Sequence, residues 1–483
     1  MSIKSTHSSS STRSRSSTRS APSPVGTIDP RPQRDARSFW RIFLATIVPL
    51  GPLSVGLSLF LAGTDPVAAQ FTSLLIVYLV PPGVLALAWV VRRRAPVLAT
   101  IGGGLAFVGY AALIQAPDLT AVGVAADAAG LPAADTERLI VAVGAHPAAV
   151  GLIMLFLVGH IVGLVLLGIA LLRSRVAPRW MAVVLIVAAP LDTVLGATTG
   201  AAALVAGSFV LLAIGFAAAS VALLRTDNPG FDLPPGAAAA APAEAPADAR
   251  IDGSPPDLRR VWRIIFGVLA PLAPVSVALL RFLLPYNTTD DPQTIAAQTL
   301  AAPEFSSTVL WLGILPAVAL VPGLLTVAWI SRRGVPVLTT VAFIVAYLGF
   351  SLLAGGGFPA DAVALAGTRI GLDSDSLTGL LLAGAENPAA AVGGILYVVF
   401  HIVGAVLLGA ALVRSRALPR WIGWTLIVSQ PLHFIAAVIL SSHALDLVAW
   451  GMTAVAFGAA GVRLIRTPDA QFDLAPQPRR PRE

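Results

Sequence analysis

Apolar residues in this chain gather into twelve long runs separated by short polar segments. The runs lie near residues 40–62, 71–91, 96–115, 149–172, 180–199 and 203–224, then 262–284, 308–330, 336–354, 390–413, 421–440 and 444–465. A helix needs about 20 residues to cross the hydrocarbon core of a bilayer, and it satisfies its own backbone hydrogen bonds while doing so. The pattern therefore predicts an all-α fold, a polytopic membrane helix bundle with 12 transmembrane helices. Pro49, Pro52, Pro190, Pro271, Pro274 and Pro431 fall inside the runs, where spanning helices tolerate kinks because neighbours satisfy the freed carbonyls.

The runs form two sets of six. Trp40-Arg41-Ile42 returns as Trp262-Arg263-Ile264, and Pro82-Gly83 with Trp89 returns as Pro322-Gly323 with Trp329. His160-Ile161-Val162-Gly163, Arg173-Ser174-Arg175 and Pro178-Arg179-Trp180 return as His401-Ile402-Val403-Gly404, Arg414-Ser415-Arg416 and Pro419-Arg420-Trp421. Phe231-Asp232-Leu233 after the sixth run matches Phe472-Asp473-Leu474 after the twelfth. Self-similarity on this scale reads as a tandem duplication. It divides the chain into a disordered basic tail (1–38), a first six-helix repeat (39–225), a flexible linker (226–258), a second repeat (259–466) and a terminal tail (467–483).

Charge placement adds an orientation. The segments after the second and fourth run of each set carry Arg92 to Arg94, Arg173, Arg175, Arg179, Arg332, Arg333, Arg414, Arg416 and Arg420 and no acid, whereas the opposite segments are rich in Asp and Glu. By the positive-inside rule the arginine loops and both termini are cytoplasmic, in a multi-pass protein of the plasma membrane. Six crossings per copy return the chain to its starting side, so the two repeats are expected to be parallel. In the acid-rich segments, Asp135-Thr136 and Asp375-Ser376 suit the caps of short helices that stop at Gly144 and Gly384. The repeated Phe-Asp-Leu tails are expected to fold back on the cytoplasmic face.

Composition agrees with lipid as the solvent. Of 483 residues, 56% are hydrophobic and 12% charged, with a mean hydropathy of +0.82; soluble domains carry roughly 25% charged residues. The net charge of +7 sits in tails and loops, which makes it a topology signal and excludes a nucleic-acid surface. With no cysteine, disulfides, thiolate metal sites and a cysteine nucleophile are excluded.

An ionisable side chain inside a span costs roughly 2.5–3.5 kcal/mol on insertion scales, so each one is a candidate site. His160 lies 13 residues before Arg173, and Asp192 lies 13 after Arg179; His401 and His433 hold the same offsets from Arg414 and Arg420. At 1.5 Å per residue the offset is about 20 Å, slightly beyond the midplane of the bilayer. Short turns make the paired helices antiparallel neighbours, so a His160–Asp192 couple and a His401–His433 couple are expected at one depth. Tyr397, one turn before His401, and Gln430, three residues before His433, could join the second couple. Phe156 and Ala189 stand at the matching places in the first. Three readings of this intramembrane polar site stay open: packing glue, a proton or substrate pathway, and ligands to haem between His160 and His401.

The stretch from His401 to Leu432, with its Arg-Ser-Arg and Pro-Arg-Trp turn, resembles uncharacterised six-helix integral membrane proteins of actinobacteria, here in tandem. That resemblance implies location and topology and no activity. The six-plus-six plan is also similar to the major facilitator superfamily, although Val91-Arg92-Arg93-Arg94 and Ser331-Arg332-Arg333-Gly334 supply basic charge and no Asp at the place of that family's Asp-Arg signature. The functional expectation is a transporter or permease carrying a small molecule or proton. A non-catalytic scaffold or partner subunit and a haem-binding electron-transfer protein are the alternatives. No nucleophile–base pairing or metal-ligand motif points to an enzyme, no cofactor is expected, and oligomeric state is not legible.

Overall fold

Proline sets where many of the helices begin. Pro66, Pro96, Pro147, Pro336 and Pro388 each open a long helix, a position where the missing N–H costs nothing and the fixed φ is already helical. Side chains just ahead of them take up exposed amides: Asp65 accepts from Ala68 N, and Asn387 from Ala389 N and Ala390 N. The computed structural model describes residues 35–234, 255–287, 289–354 and 359–477, all within one unit, Arg34–Glu483. The basic tail up to residue 34, linker residues 235–254 and the last six residues of the terminal tail lie outside the described residues.

Twelve helices are long and apolar enough to cross a membrane, and the described residues contain no strand. In chain order they are Arg37–Ala62, Pro66–Val91, Pro96–Ala128, Pro147–Ser174, Arg179–Thr199, Ala202–Arg225, Arg259–Leu283, Pro303–Ser331, Pro336–Leu353, Pro388–Ser415, Arg420–Ile439 and His443–Ile465, called spans 1 to 12 below. Several are not single rods. Span 1 breaks into Arg37–Ile47 and Leu50–Ala62 at Pro49, whereas span 7 runs unbroken through Pro271 and Pro274. Span 3 is helical to Gln115 and restarts at Leu119 after Asp118, which caps the second piece through Thr120 N and Ala121 N.

Spans 3 and 4 are packed backbone to backbone, as are spans 9 and 10. A Cβ built on Gly163 would lie 2.3 Å from Ala106 N, and one on Gly404 would lie 2.3 Å from the Cα of Ala346. Glycine is needed there because no side chain fits between the helices. Spans 4 and 10 both end with an arginine in the left-handed region, Arg175 at φ 52° and Arg416 at φ 53°, with basic side chains at the negative end of the helix dipole.

Short helices, among them the second piece of span 3, build a cap at the acid-rich end. Ala133–Gly144 and Ser374–Ala385 form there, but their caps differ from expectation. Asp135 sits inside the first turn behind Pro132, and the second helix is capped by Asp373, which accepts from Ser376 N. The sequence reading had not separated Leu119–Ala128, Pro292–Ala301 and Ala360–Ile370 as helices. Their apolar sides meet in one small core, with Val122, Leu139 and Val143 against Ala296, Val363, Leu377 and Leu380.

At the arginine-rich end the two halves are tied by crossed clasps. Arg92, after span 2, holds Asp473 of the terminal tail through Nε–Oδ2 at 2.6 Å and a second bond at 2.8 Å. Arg332, after span 8, holds Asp232 of the other tail at 3.1 and 3.0 Å. Each tail's phenylalanine stays with its own half: Phe231 is 6.0 Å from Trp89 and Phe472 is 5.2 Å from Trp329, ring centre to ring centre. Trp89 and Trp329 touch edge to face at 5.5 Å, and Arg92 and Arg332 lie over these same two rings. The Phe-Asp-Leu segments therefore lie on the arginine-rich end of the bundle. Burial works to raise the Asp473 pKa, but the charge and hydrogen bonds of Arg92, with the Leu474 amide and the Arg332 charge, outweigh it and hold the carboxyl below its ordinary value. The neighbouring Arg333 is pushed down to about 10 by burial and by the charge of Arg332.

Candidate functional site

The two midplane couples have different surroundings. In the first half His160 is fully buried between spans 3, 4 and 5. Its Nε2 lies 2.8 Å from the Ala189 carbonyl and 3.3 Å from Asp192 Oδ1, and its Nδ1 lies 2.8 Å from the Tyr110 hydroxyl. A carbonyl only accepts, so Nε2 carries the proton, and in the neutral ring Nδ1 accepts from Tyr110. Both nitrogens are engaged. Phe156 packs on the ring at 5.1 Å and closes the site.

In the second half the ring nitrogens are not both satisfied. His401 Nδ1 donates to the Tyr397 carbonyl at 2.6 Å, one turn earlier on span 10. The Tyr397 ring stacks on the imidazole at 4.3 Å, so that side chain does join the couple. His401 Nε2 is buried and has no hydrogen-bond partner among the described residues. His433 lies edge-on to His401 at 5.5 Å between ring centres. Gln430 turns away: its Nε2 donates to Thr453 Oγ1 at 2.7 Å, and Thr453 bonds Ser429 at 2.9 Å. It is buried between spans 11 and 12 rather than beside His433.

Sequence reasoning missed two charged members of this site. Asp446, at the start of span 12, places Oδ1 2.5 Å from His433 Nδ1 and Oδ2 2.8 Å from Arg281 Nε of span 7. Trp450 Nε1 approaches the same His433 nitrogen at 3.2 Å. One proton lies between Nδ1 and Oδ1. While it is on Nδ1 the indole has no lone pair to donate to, and when it moves to Asp446 the indole N–H takes its place. The site thus has a partner for His433 in both proton positions. Span 11 relaxes into a π-helical turn at Ile435–Ile439 directly after His433, a distortion common at functional sites. By the sequence match, the places of Arg281, Asp446 and Trp450 are taken in the first half by Leu59, Val205 and Phe209. An acid three residues into an apolar run, and an arginine near the end of another, were the available signals.

A cavity of about 760 Å³ reaches this site. Its walls come from both halves, and His401, His433, Tyr397 and Arg281 line it together with Gln70, Gln115, Asp118, Tyr286, Asp361 and Asn387. Neither His160 nor Asp192 lines it, and neither do the arginine-end loops. Gln70 of span 2 accepts from Asn387, the cap of span 10, at 2.5 Å, bridging the halves beside the cavity. Toward the cap, the Tyr286 hydroxyl donates to Asp361. Burial raises the pKa of both, with Tyr286 well above its ordinary value, helped by the Asp361 charge.

Among the described residues no three His, Asp or Glu side chains are grouped as metal ligands. No family model matches the chain, and no curated protein is similar to it at a significant level. The chain is a multi-pass membrane protein of all-α architecture, with twelve apolar helices and a cavity that reaches His401 and His433.

Proposed function

We propose that the chain is a transporter that carries a small molecule through the inter-half cavity, with the His433–Asp446 proton as its coupling or gating element. In this reading it is a tandem duplication of six-helix membrane units of the kind seen in actinobacteria. The halves insert the same way up in the cell membrane, and the arginine-rich end and both termini are cytosolic. One observation carries the proposal: a cavity of about 760 Å³ reaches buried His401 and His433, while ion pairs clasp the halves together at the arginine-rich end, whose loops do not line it. A cavity of this size suits a drug-sized ligand. Packing glue alone would leave no reason for a buried imidazole nitrogen without a partner. The reading assigns no covalent chemistry to the chain.

The scaffold alternative describes the first half well, where the His160 couple is enclosed and satisfied. The haem alternative needs a free ring nitrogen on His160, and both are engaged. Because the chain has no cysteine, one introduced thiol reports alone. Ser73 lines the cavity. In oriented, sealed vesicles Ser73→Cys should react with an impermeant maleimide from the acid-rich side and, more slowly, from the arginine-rich side. Reaction from one side only, at any time and temperature tried, supports a scaffold and removes the transport reading.

A further inference from the structure

We infer that the cavity takes a hydrophobic organic cation, an apolar body carrying a protonated amine. The inference deepens the transport reading and rests on it. Three observations lead to it.

The first is charge. Among the described residues Arg281 is the only guanidinium or ammonium group lining the cavity, and Asp446 binds it at 2.8 Å. Two further carboxyl groups line the cavity, Asp118 and Asp361, and neither is ion-paired to a basic side chain among the described residues. Asp118 caps a helix and Asp361 accepts from Tyr286, so both are held in place by neutral donors. With neutral histidines, ionised Asp118 and Asp361 give the cavity an excess of negative charge; burial raises the Asp361 pKa, and a bound cation offsets that effect where an anion adds to it.

The second is hydrogen-bonding capacity. His401 Nε2 and Gln115 Oε1 are buried acceptors without partners, and both side chains line the cavity. His401 is only 1% exposed, so solvent reaches it only through the cavity. With Nδ1 donating to the Tyr397 carbonyl, a neutral His401 offers Nε2 as a lone pair. A ligand with N–H donors meets that need. Gln70 Nε2 is a buried donor on the wall without a partner among the described residues.

The third is the apolar part of the wall. Leu59, Ile153 and Val438 line the cavity and are 39%, 39% and 41% exposed. They belong to the apolar segments of spans 1, 4 and 11, close to the acid-rich ends. An apolar body can therefore pack against this part of the wall, while a hydrophilic solute gains nothing from it.

The probes are 1-naphthylmethylammonium and 1-naphthaleneacetate, similar in size and opposite in charge, titrated by calorimetry into the purified full chain with micelle blanks. The ammonium should bind at least about tenfold tighter than the carboxylate, the ratio set by one favourable charge interaction in a partly shielded site. Asp118→Asn and Asp361→Asn keep the capping and accepting oxygens, so both should fold with unchanged melting. Each should weaken the ammonium by about three- to tenfold without weakening the carboxylate. Equal affinities for the two probes, or unchanged ammonium binding in both variants, overturns the cation assignment. If that happens while Ser73→Cys still reacts from both sides, only the ligand class is wrong. If Ser73→Cys reacts from one side only, the transport reading has failed separately.

Discussion

Neutralising the two clasps at the arginine-rich end should shift the protein toward opening there. The variant is Asp232→Asn with Asp473→Asn, which keeps shape and an accepting oxygen but removes both negative charges. Each aspartate makes two bonds to its guanidinium, at 3.1 and 3.0 Å for Arg332–Asp232 and at 2.6 and 2.8 Å for Arg92–Asp473. The attraction is up to about 4 kcal/mol at 4 Å in an effective dielectric of 20, before desolvation is subtracted. Charged hydrogen bonds leave a net of about 1.5–3 kcal/mol. The side chains are 7–20% exposed, so the lower end applies. Two clasps at about 1.5 kcal/mol each change the ratio of closed to open forms by about 100-fold. Val91 is fully buried beside Arg92, so Val91→Cys is a reporter for opening. Its maleimide reaction should quicken by about 100-fold in the double variant when reclosing is faster than labelling, while Ser73→Cys slows. If both rates stay within about twofold of the parent, the clasps do not hold that end closed.

Three further outcomes follow from the same geometry. Gly163→Ala and Gly404→Ala must push helices apart by the width of a methyl, because the new Cβ would stand 2.3 Å from its neighbour; each should cost about 1–3 kcal/mol in unfolding followed by tryptophan fluorescence. Gly104→Ala, with nothing within 4 Å of its Cβ, should be neutral or gain up to about 1 kcal/mol from helix propensity; equal losses at all three glycines would refute the packing account. His160→Phe leaves the Tyr110 hydroxyl and Asp192 without the ring they bond, at about 1–3 kcal/mol for each buried orphan, whereas His401→Phe forfeits one bond to a helix carbonyl and about 1 kcal/mol. A reversed order in thermal melting would show that the second imidazole is the structural one. Finally, an aspartate in an unfolded chain titrates near pH 3.9, and Arg92 holds Asp473 lower in the fold against the opposing effect of burial. The clasp's contribution is therefore complete above about pH 4 and lost only as pH falls through the lower, folded value. The melting gap between the parent and Asp473→Asn should be constant from neutral pH down to about 4 and close below it; a gap that closes near pH 6 would mean another group carries it.

How much was legible from residues alone follows the range of the forces involved. Twelve crossings could be read because a bilayer imposes one local rule, about 20 apolar residues per helix, and prolines at helix starts mark boundaries within a turn. Depth was legible too, since rise per residue is fixed, which is why His160 and Asp192, or His401 and His433, could be matched by counting from the arginines. Facing direction was not. Gln430 lies three residues before His433 yet bonds Thr453, because rotation about a helix axis is set by packing against other spans. Asp446 and Arg281 meet across 165 positions of sequence, and no local pattern brings spans 7 and 12 together. The clasps make the same point more sharply. The chain repeats Arg92 as Arg332 and Asp232 as Asp473, but which arginine takes which aspartate depends on how the halves lie against each other. Local hydrophobicity and helix geometry fix which segments cross and how deep each side chain sits. Only the packed bundle decides which polar groups meet, since each buried one must find a partner or a cavity, and here His401 found the cavity.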